Sequence, residues 1–172
     1  MKRTFFALFA AAVLVFSFAS CGDQKSYTEI LTEQTKGWVL SVATSDPAYV
    51  MYSGAHVTNL MEGYLDKCEL DDIITFKEGN IMTIDPGTEI QEGFGYQAVV
   101  SANWNLSADQ TTLNMQIPFF YNDDYTMYDQ AMESCSIIAL SSKELVLSYS
   151  FNDNESPAKG EYTFTLTYVP AK

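Results

Sequence analysis

The sequence predicts an all-β domain: an eight-stranded antiparallel up-and-down meander closing into a barrel, with one short helix between the first and second strands. Three observations predict it. Apolar and polar residues alternate with period two along most of the chain, as in strands buried on one face. Several links between those runs are only a few residues long, which makes neighbouring strands antiparallel, because a parallel pair needs a crossover of a dozen or more residues. Eight such strands with one apolar face can close on themselves, which removes both edges and leaves an interior wide enough for side chains or one small ligand. A two-sheet sandwich would show the same alternation and is the rival architecture.

Taken in order, strands are expected at Gly37–Thr44, Asp72–Lys77, Ile81–Asp85, Gln97–Leu106, Thr111–Ile117 and Ser134–Leu140, then from Leu145 through Leu147 and Tyr149 to Phe151, and last at Tyr162–Tyr168. The last two carry the clearest signal. In Tyr162–Tyr168, aromatic and aliphatic residues hold one face and Thr the other, all of them strand formers. Glu78-Gly79-Asn80, Ser107–Gln110 and Ser141-Ser142-Lys143 are tight links, and Asn152–Gly160 is rich in turn formers. Two connections are longer. Ser45–Asp71 holds Val57, Leu60, Met61, Tyr64 and Leu65 at helical spacing, which predicts a short amphipathic helix covering the barrel. Pro118–Gln130 concentrates Phe119, Phe120, Tyr121, Tyr125 and Tyr128 with three Asp, and a loop of that length in a compact domain is more often functional than a tight turn is.

The N-terminus sets the address. A basic head, an apolar run from Phe5 to Phe18 and the small residues Ala19-Ser20 form a secretory signal, and the run falls short of the ~20 residues of a spanning helix. Phe18-Ala19-Ser20-Cys21 resembles the lipobox of bacterial lipoproteins. That resemblance implies cleavage before Cys21, acylation of its thiol and an anchor in the cell envelope, with the outer membrane favoured and the periplasmic or surface face left open. Two or three acyl chains hold such a domain durably, at about 0.8 kcal/mol per buried methylene. The expected organisation is residues 1–20 as signal peptide, 21–35 as lipidated Cys and polar tether, and 36–172 as one barrel domain.

Charge narrows the partners. Without residues 1–20 the chain keeps seven Lys, no Arg and 22 acidic residues, a net charge of −15. Nucleic acid and anionic headgroups are repelled by such a field, and without Arg no bidentate phosphate clamp is available. Sugars, apolar molecules, cations and basic proteins remain. With Cys21 lipidated, Cys68 and Cys135 are left either to form one disulfide or to stay as two buried thiols. Neither has a Cys or His neighbour at zinc-ligand spacing.

Trp38, the run Cys68-Glu69-Leu70-Asp71-Asp72-Ile73-Ile74-Thr75-Phe76-Lys77-Glu78-Gly79-Asn80, then Asp85-Pro86-Gly87 and Trp104-Asn105-Leu106 together resemble the lipocalin-like lipoproteins of Bacteroides-type bacteria. The resemblance spans most of the chain after the signal. It implies a calycin-type barrel on a lipid anchor with no defined ligand for most members. Members of that family often carry a second Cys soon after the Asp-Gly turn, where this chain has Glu89-Ile90-Gln91, so either Cys135 substitutes as the partner of Cys68 or Cys68 is free.

Catalytic equipment is not legible. Gly93-Phe94-Gly95-Tyr96-Gln97-Ala98 has the letters of a dinucleotide fingerprint but runs into a strand, where that motif needs a helix N-terminus. His56 is the one histidine and has no nucleophile or orienting partner in sequence pattern. Asp71 and Asp72, adjacent in a strand, point to opposite faces and do not form a carboxylate pair; their charge suits the entry to the strand and a soluble rim. Neither Asp123, Asp124 and Asp129 nor Asn152, Asp153 and Asn154 has the spacing of a calcium loop. No enzyme, metal or cofactor is expected. The expectation is a tethered binding module that takes a small apolar or glycan-like ligand on Phe119, Phe120, Tyr121, Tyr125 and Tyr128. A structural or protein-interaction lipoprotein with a barrel filled by Tyr149, Phe151, Tyr162, Phe164, Tyr168 and Trp104 is the alternative.

Overall fold

The computed structural model describes residues 25–90, 99–116, 132–155 and 157–172. Its elements run α1 (Tyr27–Thr32), β1 (Trp38–Val50), β2 (His56–Asn59), α2 (Leu60–Gly63), α3 (Lys67–Leu70), β3 (Ile73–Lys77), β4 (Ile81–Asp85), β5 (Val100–Leu106), β6 (Thr112–Met115), β7 (Glu133–Leu140), β8 (Leu145–Asp153) and β9 (Gly160–Pro170). Each strand from β3 to β8 pairs antiparallel with the next, and β1 pairs with both β3 and β9. An eight-stranded up-and-down barrel results, and β2 is added along the far half of β1.

Closure depends on β1. Its first residues pair with β3 at Trp38↔Ile74 and Val39↔Ile73, while its other edge follows β9 from Trp38↔Pro170 to Asp46↔Thr163, with a bulge between Leu40 and Val42. The extra residue of a bulge bends the strand and adds twist, which a closed wall requires.

Inward residues follow the period-two pattern. Leu145 and Leu147 on β8 face Tyr168 and Leu166 on β9, and all four are buried. Trp38, Phe76, Met82, Met115 and Trp104 fill the same space, with Trp38 fully buried and Phe76 and Trp104 at 2% exposure. Burying a side chain of this kind contributes about 1.5–3 kcal/mol relative to leaving it exposed. Phe76 and Trp104 meet edge to face at 5.2 Å, and the Trp104 Nε1–H is shared between the carbonyls of Lys77 and Ile81, which ties β5 to the β3–β4 turn.

One end of the barrel is closed by α1, inside the stretch expected as a polar tether. Ser26 accepts a hydrogen bond from the Glu29 N–H while Glu29 accepts one from the Ser26 N–H, a capping box. Leu31 is fully buried, and its carbonyl accepts a hydrogen bond from Trp38 Nε1 at 3.3 Å. Turns β3–β4, β5–β6 and β7–β8 gather at this end, where Gln34 reaches the Ser142 carbonyl. The mouth is the opposite end, where β1 runs out toward β2 and where β8 hands over to β9.

The connection from β1 to β3 differs from the single helix expected around Val57–Leu65. It carries β2 and two one-turn helices, α2 capped by Asn59 and α3 by a second capping box between Asp66 and Glu69. Leu60 and Cys68 from these turns are buried.

Candidate ligand site at the barrel mouth

Toward the mouth the inward face changes from aliphatic to aromatic and from buried to half-exposed. On β8 and β9 the pairs Tyr149↔Phe164 and Phe151↔Tyr162 succeed Leu147↔Leu166. Tyr49 from the end of β1 sits among them, with ring centres 4.9 Å from Tyr162, 5.8 Å from Phe164 and 6.5 Å from Phe151. Tyr64, which follows α2, packs edge-on against Tyr49 at 5.1 Å and Phe164 at 5.8 Å. Phe151 stacks on Tyr149 at 5.5 Å and meets Phe164 edge to face at 4.9 Å. Pairs of this geometry are worth about 0.5–1.5 kcal/mol beyond their area, so the six rings form a preformed surface. Tyr64 keeps 39% of its surface exposed, and Tyr49, Tyr149, Phe151 and Phe164 are half-buried.

Carboxylates surround these rings. Tyr49 Oη donates to Asp153 at 2.9 Å, and Tyr52 Oη to Glu155 at 3.0 Å. Burial, and after it the bond to Asp153, raises the Tyr49 phenol far above its ordinary value. Burial and then Glu133 push Tyr149 up to about 12, and burial followed by Glu69 and Asp153 raises Tyr64. All three phenols are therefore neutral donors at physiological pH.

Deeper lies Asp72. It shares the inward parity of Ile74 and Phe76, is 9% exposed, and its Oδ1 has no hydrogen-bond partner. Burial first, then Glu69, Asp71 and Asp85, pushes its carboxyl up to about 7. The register sets Tyr168 and Asp72 on either side of Leu40, since Leu40 pairs with Tyr168 and Val39 with Ile73. The Tyr168 hydroxyl is also buried without a partner, and burial, Cys135 and Asp72 raise its pKa in that order. Asp71 points the other way, as the alternation predicts. Its Oδ2 accepts from the N–H groups of Thr88 and Glu89 at 2.7 and 3.0 Å, which pins the turn after β4.

The two barrel ends differ in charge. Around α1, the neighbouring turns and the chain end lie Lys25, Lys36, Lys77, Lys143 and Lys172 with five carboxylates, a balanced set. The remaining described residues, on the upper wall and the mouth connections, hold Lys67 and Lys159 against twelve carboxylates, a net of −10. Among the described residues the one ion pair, Lys25 with Glu33, is at the closed end.

The expected ligand contacts Phe119, Phe120, Tyr121, Tyr125 and Tyr128 lie outside the described residues, as do Cys21 and the Gly93–Ala98 stretch. The strands that lead into and out of the aromatic loop, β6 ending at Met115 and β7 starting at Glu133, both open at the mouth. Cys68 and Cys135 are free, so the disulfide alternative gives way to two buried thiols: Cys68 sits on α3 and Cys135 in mid-β7, opposite Leu113. His56 is exposed at the start of β2, away from any nucleophile pattern. No group of three or more His, Cys, Asp or Glu among the described residues could hold a metal ion.

Alternation along the strands is enough to place Tyr149, Phe151, Tyr162 and Phe164, and Asp72 by parity with Ile74, on the inward face, but it does not reveal Tyr49 and Tyr64 as their companions. Tyr49 and Tyr64 come from the end of β1 and the long β1–β3 connection, and only closure of the barrel brings them to β8 and β9. Compared with known protein families and with curated proteins, the chain matches neither a family model nor an individual sequence.

Proposed function

We propose that this chain is a lipid-anchored, non-catalytic binding protein of the lipocalin-like kind, whose barrel mouth takes a small apolar or glycan-like ligand. The observation that carries the reading is the half-exposed cluster of Tyr49, Tyr64, Tyr149, Phe151 and Phe164 standing above a filled lower core. Flat apolar faces beside a few convergent polar groups are what a small-molecule site needs. An anchor at Cys21 would join the domain shortly before α1, which lies at the end of the barrel opposite the mouth.

Titration with the neutral dye N-phenyl-1-naphthylamine tests the site. Saturable fluorescence enhancement is expected, weakened about tenfold by Tyr64→Ala, a loss of roughly 1.4 kcal/mol. Absence of saturable binding, or binding unchanged in Tyr64→Ala, would favour the second reading, a structural or protein-interaction lipoprotein. That reading draws on the lower barrel, which Trp38, Phe76, Met82, Trp104 and Met115 fill with side chains. Cys21→Ser is expected to move the protein from the membrane to the soluble fraction, and retention in the membrane would refute the anchor.

A further inference from the structure

The mouth combines three features that a neutral ligand leaves unused. Its rings present faces of negative quadrupole, which attract cations. Together, the upper wall and the mouth connections carry ten more carboxylates than lysines among the described residues, and none of these groups is in an ion pair there. Below them Asp72 points inward, nine-tenths buried, with Oδ1 lacking any partner, and the equally orphaned Tyr168 hydroxyl lies in the same cross-strand row.

An uncompensated carboxylate in such a place is costly, and replacing it with an apolar residue would ordinarily stabilise a core. The position makes sense if a counter-charge comes with the ligand. Glu69 links the two levels of the site, since it interacts electrostatically with both Tyr64 at the rim and Asp72 below. A neutral ligand would leave Asp72 unpaired, and an anion would enter against the field.

We propose that the ligand is a small organic cation, an alkyl- or arylammonium whose apolar body lies on Tyr64, Phe151 and Phe164 and whose charge is met by Glu69 and Asp72. This rests on the reading of the mouth as a small-ligand site and adds the sign of the ligand's charge. The cation brings the donor or positive charge that Asp72 Oδ1 lacks, while its apolar body covers the half-exposed rings.

Three eight-carbon probes separate the possibilities when each displaces N-phenyl-1-naphthylamine from the full-length protein at pH 8.5, where Asp72 is ionised, and at one fixed salt concentration: octyltrimethylammonium, 1-octanol and octanoate. The cation is expected to bind about tenfold more tightly than the alcohol, and octanoate least. Asp72→Asn is expected to remove most of the cation's advantage while leaving octanol affinity unchanged. Glu69→Gln, whose amide oxygen can still accept from the Asp66 N–H, gives a second removal of charge should Asp72→Asn fold poorly. Equal binding of cation and alcohol in the wild type would overturn the cation assignment and leave the mouth as a site for apolar molecules. A cation preference untouched by both substitutions would overturn the role given to Asp72 and Glu69. Binding of none of the three probes would remove the mouth reading itself.

Discussion

Asp72→Asn makes a demanding test of the barrel interior because its effect must change with pH in a set direction. The Asp72 carboxyl rises from 3.8 to about 7 on folding, through burial and then the charges of Glu69, Asp71 and Asp85, with Tyr168 facing it from β9. Between those two values the folded chain keeps a proton that the unfolded chain has lost. The stabilisation is therefore complete below about pH 4 and lost as pH climbs through about 7. A tenfold difference in proton affinity between the folded and unfolded chains is worth about 1.4 kcal/mol, which gives about 4 kcal/mol over the whole window, and screening by water at the mouth brings the expected figure to roughly 2 kcal/mol. Asn cannot ionise. Its stability relative to wild type should thus rise by about 2 kcal/mol between pH 4 and pH 8, whatever constant offset the amide introduces. Urea unfolding of both chains at three pH values within that range, without ligand, measures the difference. Contributions common to both chains, such as the carboxyls of Glu29 and Asp109 that their hydrogen bonds to Ser26, and to Ser107 and Thr111, hold low, cancel in the comparison. Parallel stability curves, or a wild type that gains on the variant toward alkaline pH, would refute the reasoning.

Two glycines separate backbone strain from crowding. Gly37 (φ +84°) leads into β1, and a Cβ there would stand 2.5 Å from Ile73 Cγ2 and 2.8 Å from the Ile74 carbonyl; Gly79 (φ +78°) has open space around it. Gly37→Ala should cost more than about 3 kcal/mol and Gly79→Ala about 1 kcal/mol, read from thermal or urea unfolding, and equal costs would contradict the packing of α1 and β1 on β3. Cys135 is fully buried and its thiol is pushed up to about 12 by burial and then Glu133, while burial raises Cys68 less far. In a Cys21→Ser chain at pH 8, a disulfide reagent should modify both thiols only on unfolding, with Cys135 the slower; rapid labelling of the native protein would show that β7 does not seal it.

Much of the barrel is legible in the sequence because alternation and turn chemistry are local. Leu145–Phe151 and Tyr162–Tyr168 announce their faces, and the three-residue link at Glu78–Asn80 announces its hairpin, with positive φ at Gly79 and Asn80 as such a turn demands. What stays hidden depends on distant partners. Ser26 and Glu29 spell a capping box, yet a six-residue helix is too short to persist alone and forms because Leu31 packs beside Trp38. β1 continues past its expected end, through Pro47, because that residue lies between two ladders: pairing with β9 ends at Asp46, and pairing with β2 resumes at Tyr49. Val57–Leu65 has helical spacing, but β1 offers Val57 an edge to pair with first. The charge of Asp72 suggests a soluble rim residue, whereas period two alone turns it inward with Ile74 and Phe76, and the structure follows the period.

The seam between β1 and β9 also decides when the molecule can exist as a barrel at all. Its partners lie far apart in the chain, from Trp38 with Pro170 to Asp46 with Thr163, and a further backbone bond runs from Ala171 to Gly37 at 2.9 Å. During synthesis the hairpins from β3 to β8 can form as they emerge, while β1, held by β3 at only two residue pairs, waits for its longer ladder until β9 follows them. Loss of β9 would strip a partner from both β1 and β8 and leave two bare edges of the kind that recruit other chains. Completion of the wall thus waits on translation through β9, set by topology and independent of whatever the mouth goes on to hold.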